Sequence, residues 1–133
     1  GGLSTIYSYG VKIGEDAGPD ALRAAFDDAL PRNHRHFFKH LKLSVTVGDY
    51  YFVHAGVRGG IPLNRQSEHD QLWIRDVFLN ATGDFGKIVV HGHTPTSDPV
   101  IRSNRIGIDT GAYATGKLTA LVLEGANRRF LTT

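Results

Sequence analysis

The 133-residue sequence contains no cysteine and no methionine. Without cysteine the chain can form neither a disulfide framework nor a thiolate metal site, so any metal ion must be bound by nitrogen and oxygen donors. No apolar run approaches the roughly 20 residues of a membrane-spanning helix. Because no initiator methionine precedes Gly1, we expect a chain cut from a longer protein.

The sequence also lacks a large excess of positive or negative charge. Fifteen Lys and Arg residues against 13 Asp and Glu residues give a net charge of +2, and the basic residues are dispersed. Nucleic-acid-binding proteins concentrate such residues in a dense patch or stripe. We therefore expect no nucleic-acid binding and no membrane partner, and we take the cytoplasm as the default location. The 41% apolar content suffices for one domain, so we assign residues 1–133 to a single domain.

Residue spacing predicts alternating helices and strands, and thus an α/β fold. Pro19 suits a first helical turn, and the apolar residues after it predict a helix that ends at Leu30, before Pro31. The pair Gly48-Asp49 predicts a hairpin turn. The other predictions are an edge strand or loop over 3–11, a helix that buries Phe37, Phe38 and Leu41, a helix over 68–79, and strands over 44–47, 50–55, 87–90, 100–109 and 118–124.

Two of the predicted strands run into a histidine close to glycine. The first leads to His54, followed by Ala55 and Gly56, and the second to His91-Gly92-His93. Histidine nitrogen is a common ligand of manganese, iron and zinc, and a nearby glycine lets backbone and metal approach each other closely. Since strand ends of an α/β layer face a common crevice, we expect His54 and His93 on one rim. His91 would join them if the strand continued to residue 93.

Five segments carry a family resemblance, in order along the chain. Residues 53–56, Gln66, residues 70–75, 91–95 and 104–111 resemble the second half of the calcineurin-like metallophosphoesterases, within the branch of the bacterial serine/threonine protein phosphatases and symmetrical diadenosine tetraphosphatases. The resemblance extends from about residue 8 to residue 124. It implies part of a four-layer αββα sandwich, with the N-terminal half absent and residues 1–133 forming the C-terminal portion.

The resemblance further implies a centre of two divalent metal ions, with manganese expected and iron or zinc as alternatives. His54 and His93 would bind the second metal, and Arg75 would hold phosphoryl oxygens. His91 would lie close behind the metal ligands or contact the phosphate, or would otherwise be a packed histidine at the end of its strand. The family motifs Gly-Asp-x-His-Gly, Gly-Asp-x-x-Asp-Arg-Gly and Gly-Asn-His-Glu do not occur in this sequence. We therefore expect the chain to be inactive alone, and whether it binds metal by itself stays open.

The predicted function is that of a metal-dependent phosphoester hydrolase similar to serine/threonine protein phosphatases, acting on a phosphorylated protein or a nucleotide. A dinucleoside polyphosphate hydrolase is one alternative, and a noncatalytic metal-binding or partner-binding module is another. A half-sandwich leaves sheet edges exposed, which favours a homodimer.

Two other motifs are given ordinary structural interpretations. His36 and His40 share a helix face near His34, but two histidines make a weak zinc site, so a solvated helix surface is the better prediction. The triplet Asp109-Thr110-Gly111 is familiar from aspartic proteases, yet its surroundings favour a turn.

Overall fold

A computed structural model describes residues 2–12, 14, 18–125 and 127–133. The chain forms two compact units, Gly1–Leu41 and Lys42–Thr133. Helices dominate the first unit, and strands dominate the second. Among the described residues, none of the helices combines the length and apolar character that crossing a bilayer requires.

Three helices make up the described part of the first unit: α1 (Gly2–Ser8), α2 (Pro19–Ala29) and α3 (Arg32–Lys39). The prediction for α2 is confirmed to within one residue at its end. Pro19 stands at the first helical position, and Leu30 is extended because Pro31 follows it. The edge strand or loop predicted over 3–11 is wrong, since most of this segment is α1. Seven residues span about two helical turns, too few for a helical period to be visible in the sequence.

The predicted burial of one face of α3 is wrong. Phe37 and Phe38 are 60% and 47% exposed, and Leu41, just beyond the end of the helix, is 57% exposed. The rings of Phe37 and Phe38 meet edge to face with centroids 5.7 Å apart. Spacing along a helix determines which side chains share a face, but it does not determine whether another element covers that face.

The second unit contains a five-stranded mixed sheet. Its strands are β1 (Ser44–Val47), β2 (Tyr50–Val53), β3 (Ile88–His91), β4 (Val100–Ile101) and β5 (Arg105–Gly107), in the order β1-β2-β3-β5-β4. The inner three strands are parallel, and the two edge strands pair antiparallel to their neighbours. The hairpin predicted at Gly48-Asp49 is confirmed, with Gly48 at φ +55°. The α/β fold class is likewise confirmed.

Helices and a second hairpin complete this unit. A 3₁₀ turn (Leu63–Arg65) and helices α4 (Glu68–Trp73) and α5 (Asp76–Leu79) lie between β2 and β3 in the chain. Helix α6 (Ala112–Thr115) precedes the antiparallel pair β6 (Thr119–Glu124) and β7 (Asn127–Thr132). The buried core contains seven residues of the loops, helices and inner strands, namely Tyr51, Val53, Ala55, Val57, Ile74, Phe78 and Val89.

Two predicted elements prove to be interrupted. The helix expected over 68–79 breaks at Arg75, whose backbone lies at φ −131° and ψ −108°, and so becomes α4 and α5. The strand expected over 100–109 turns back on itself and becomes β4 and β5, in which Ile101 pairs with Ile106. Both breaks occur at polar residues, Arg75-Asp76 and Arg102-Ser103-Asn104, and apolar residues continue on either side of each.

Candidate functional site

The carboxyl ends of the three parallel strands meet at one edge of the sheet, as expected for an α/β layer. A cleft of about 390 Å³ lies at this edge, and its lining includes His54, His91, His93 and Asp109. His54 follows β2 directly, while His91 is the last residue of β3. Residues far apart in sequence therefore line one cleft.

His54 and His93 are in direct contact. The Nε2 atom of His54 lies 3.0 Å from Nδ1 of His93. The amide of Gly92 donates to the carbonyl oxygen of His54 at 2.8 Å, which joins the ends of β2 and β3. A β-carbon on Gly92 would lie 3.5 Å from that of Asp109. The two strand ends and Asp109 thus surround Gly92 at van der Waals distance.

The backbone of His93 is strained. Its φ is +65°, and it is the only described residue other than glycine with a positive φ. Such a conformation costs on the order of 1–3 kcal/mol and is concentrated at functional sites. It also shows that β3 does not continue to residue 93, so alternation along a strand does not bring His91 and His93 to the same side.

The electrostatic surroundings of His93 favour its uncharged form. Burial lowers its pKa, and the positive charge of Arg75 and the proximity of His54 lower the pKa further. The Nε2 atom of His93 is buried and has no hydrogen-bond partner among the described residues. Metal ions bind the neutral form of imidazole, so the lowered pKa suits a metal ligand. The nitrogen of His93 that faces His54 is Nδ1 and not this buried Nε2.

Arg75 lies beside the histidine pair. Its Nη1 atom donates to the carbonyl oxygen of His93 at 3.4 Å and to Oγ1 of Thr94 at 3.3 Å. Both hydrogen bonds are long, and the side chain is exposed. Trp73 also contacts this group, with its ring edge-to-face to that of His93 at 5.6 Å. The break between α4 and α5 places Arg75 next to the loop that follows β3.

His91 occupies a different environment. Its ring is buried and meets that of Phe78 edge to face, with centroids 4.8 Å apart. Burial lowers its pKa, and its Nε2 atom has no partner among the described residues. A β-carbon on Gly107 would lie 3.2 Å from that nitrogen. His91 is therefore packed between the core and β5, and the role predicted for it stays a prediction.

Asp109 was not predicted as a site residue. It lines the cleft, and its Oδ1 atom accepts a hydrogen bond from the amide of Gly111 at 2.9 Å. Burial lowers the pKa values of His91 and His93, and the negative charge of Asp109 opposes that lowering in part. The rule that selected His54, a polar residue just after a buried strand, applies to Asp109 too. The single long strand predicted over 100–109 concealed the strand end at Gly107.

The histidine pair matches two ligands of one cation. Two nitrogens that each lie about 2.1 Å from a metal at a right angle are about 3.0 Å apart, which agrees with the observed separation. No further ligand accompanies this pair, because the described residues contain no group of three or more His, Cys, Asp or Glu side chains placed to hold a metal ion. A centre of two metal ions therefore does not fit the described residues by themselves.

Several residues of the family-like segments support loops rather than the cleft. Gln66 accepts from the amide of Arg58 at 2.8 Å and donates to the carbonyl oxygens of Arg58 and Ile61. Asp70 accepts two hydrogen bonds from the guanidinium of Arg58. Gly56 was expected to let backbone approach a metal, but its missing β-carbon leaves space for the ring of Phe78. These positions shape the segment after β2.

Comparison with known proteins finds a likeness in fold to solved structures. No family model and no curated protein matches the chain. The crystal structure of "a putative diadenosine tetraphosphatase" superposes with a TM-score of 0.64 at 19% sequence identity. The superposition covers 84% of this chain and 60% of that one, so the chain spans 60% of the length of its structural neighbour. The protein is therefore an α/β protein that shares its fold with a part of that structure.

Proposed function

We propose that the chain is the C-terminal portion of a calcineurin-like, metal-dependent phosphoester hydrolase, of the type that includes serine/threonine protein phosphatases. His54 and His93 are the proposed ligands of one divalent cation, with manganese expected. The observation that carries the proposal is the 3.0 Å approach of His54 Nε2 to His93 Nδ1, between histidines 39 positions apart in sequence. The shared fold and the family-like segments support it.

The proposal assigns the chain an incomplete site. Two histidines cannot hold two hard cations that prefer mainly oxygen ligands. The remaining ligands must then come from polypeptide outside the 133 residues. For the same reason, we propose that the isolated chain has no hydrolytic activity.

Arg75 is the proposed contact for a phosphoryl group. A guanidinium group matches the oxygens of a phosphate with two parallel hydrogen bonds, and its charge becomes more effective as negative charge develops on the group being transferred. Its long hydrogen bonds to His93 and Thr94 are weak, so little would be lost when an anion replaced them. Because the side chain is exposed beside the cleft, it can reach a substrate there.

Metal titration tests the ligand assignment. We expect zinc or manganese, added to the purified chain in a calorimeter, to bind with an affinity that falls at least about tenfold in His93→Ala, because one of two ligands is removed. The matched control is His36→Ala, which removes one member of the His36–His40 pair at the end of α3, whose ring centroids are 4.0 Å apart. If His36→Ala abolished binding while His93→Ala left it intact, the assignment would be wrong.

Activity of the isolated chain is tested with p-nitrophenyl phosphate in the presence of manganese. We expect no turnover above that of buffer with the same metal, because most ligands of a two-metal centre are missing. Robust turnover that disappears in His93→Ala would contradict the expected inactivity. If both the chain and the longer protein to which we assign it (the parent protein) bound metal stoichiometrically without turnover, a noncatalytic binding module would be favoured.

A dinucleoside polyphosphate hydrolase is the second candidate. The observation that favours it is the description of the structural neighbour as a diadenosine tetraphosphatase. The two candidates are separated by comparing the rates at which the parent protein hydrolyses diadenosine tetraphosphate and a phosphopeptide. If the enzyme preferred the dinucleotide, the proposed activity would change from protein phosphatase to dinucleoside polyphosphate hydrolase. The assignment of His54 and His93 as metal ligands would stay the same.

A further inference from the structure

A second polar cleft lies away from the histidine pair. Its volume is about 290 Å³, and it forms where the segment after α5 meets the turn between β4 and β5. Arg105, which lines it, is the first residue of β5, whereas Gly107 at the other end of that strand pairs with His91. The lining relevant here consists of Asn80, Thr82, Arg102, Ser103, Asn104 and Arg105.

Arg105 is a buried cation without a counter-ion. Only 8% of the residue is exposed. Its Nε atom is buried and has no hydrogen-bond partner in the part of the chain that the structure describes, and its Nη1 atom donates a long hydrogen bond of 3.5 Å to Oδ1 of Asn104. No Asp or Glu of the described part of the chain forms an ion pair with it. The guanidinium carbon lies 5.8 Å from the centre of the Phe78 ring, a contact that compensates only in part.

A second arginine increases the local positive charge. Arg102 is exposed at the mouth of the cleft, and its side chain forms no ion pair with a described residue. Burial lowers the pKa of Arg105, and repulsion by the charge of Arg102 lowers it further. Arginine nevertheless stays protonated in proteins. Two arginines, one of them buried, thus line one cleft and repel each other, and no described acid forms an ion pair with either, which is unfavourable unless an anion binds.

The cleft is held in shape by hydrogen bonds of its own residues. The side-chain amide of Asn104 donates to the carbonyl oxygens of Ala81 and Gly83, at 2.9 and 2.8 Å. The amide of Arg102 donates to the carbonyl oxygen of Arg105 at 2.8 Å, which closes the turn. A site already arranged in this way loses little conformational entropy when a ligand binds.

We propose that this cleft is a binding site for a phosphate oxyanion, held by the guanidinium groups of Arg102 and Arg105. Arginine pairs with phosphate through two parallel hydrogen bonds, and the hydroxyl groups of Thr82 and Ser103 offer further donors. The volume accommodates either free inorganic phosphate or the phosphoryl group of a phosphate ester. This site is independent of the proposed hydrolase, because it requires neither metal nor catalysis.

The test is a phosphate titration of the isotopically labelled chain followed by amide NMR. We expect saturable shifts in residues 80–83 and 102–105 with inorganic phosphate, and none with chloride at the same ionic strength. At a concentration about ten times Kd, phosphate should raise Tm by about 3–8 °C. A parallel titration with adenosine monophosphate shows whether a phosphate ester enters as well. Shifts that cluster at His54 and His93 instead, or no saturable shift with either compound, would overturn the proposal.

Arg102→Gln is the decisive variant, because Arg102 is exposed and its loss should leave the fold intact. We expect a rise in Kd of about tenfold or more, the effect of losing a charge-assisted hydrogen bond. Arg65→Gln, the same change at an exposed arginine of the 3₁₀ turn, should leave Kd within about twofold. Equal effects of the two variants would indicate attraction by net charge alone and would overturn the site. Arg105→Lys keeps the charge without the two-pronged donor geometry, and if it folds it should also bind phosphate more weakly.

Discussion

Gly56→Ala should lower the free energy of unfolding by about 2–4 kcal/mol. An added β-carbon would lie 2.3 Å from Cδ1 and 2.6 Å from Cγ of the Phe78 ring, and no real contact is that short. Phe78 is fully buried among core residues, so its ring has nowhere to move. The φ of Gly56 is +153°, which side-chain-bearing residues rarely adopt. Urea unfolding followed by circular dichroism measures the change.

Two neighbouring glycines separate the contributions to this effect. Gly60 has φ +77° and nothing within 4 Å of an added β-carbon, so Gly60→Ala measures the backbone cost alone. At Gly59 an added β-carbon would meet only the Phe85 ring, at 3.9 Å, so Gly59→Ala should be nearly neutral. If Gly56→Ala destabilised the protein no more than Gly60→Ala does, the close contact with Phe78 would not be the cause.

Asp70→Ala should lower the free energy of unfolding by about 2–3 kcal/mol. Its carboxylate accepts from Nε and Nη2 of Arg58 at 2.9 and 2.7 Å and from Oγ of Ser67 at 3.0 Å. Breaking a fully buried pair of this kind costs about 3–5 kcal/mol, but the side chain of Arg58 is 47% exposed, and solvent screening reduces the effect. Urea unfolding again provides the measurement. Asp49→Ala, which removes an exposed and longer ion pair with Lys87, is the control and should be close to neutral.

The same carboxylate makes stability depend on pH. The hydrogen bond from Arg58 is the main reason that the pKa of Asp70 is lowered. Its contribution to stability is therefore fully present above the unfolded-state pKa of about 3.9 and is lost as the pH falls through the lower folded-state value. Asp70→Asn should lose less stability than the wild type between pH 5 and acid conditions of about pH 2. Parallel curves for the two proteins over that range would contradict the assignment.

Local signals in the sequence were sufficient for several elements. Pro19 and Pro31 bound α2 at its two ends, and Gly48-Asp49 defines the turn of the first hairpin. These signals operate over two to four residues, through the fixed φ of proline and the positive φ available to glycine. The breaks at Arg75 and between β4 and β5 were not predicted, although polar residues stand at both. In a sequence, polar residues at a break look the same as polar residues on the exposed side of a continuous helix or strand.

The sequence by itself determined the α/β composition and the candidates for the cleft, because strand periodicity and a polar residue at a strand end are local properties. Only the tertiary structure decided that His54 Nε2 meets His93 Nδ1, since parallel pairing of β2 with β3 brings together residues 39 positions apart. It also decided that the space at Gly56 is occupied by Phe78 and that Arg105 is buried with no ion pair to any described acid. Burial and the absence of a counter-ion depend on every group that surrounds a residue in space, and distance along the chain does not reveal those groups.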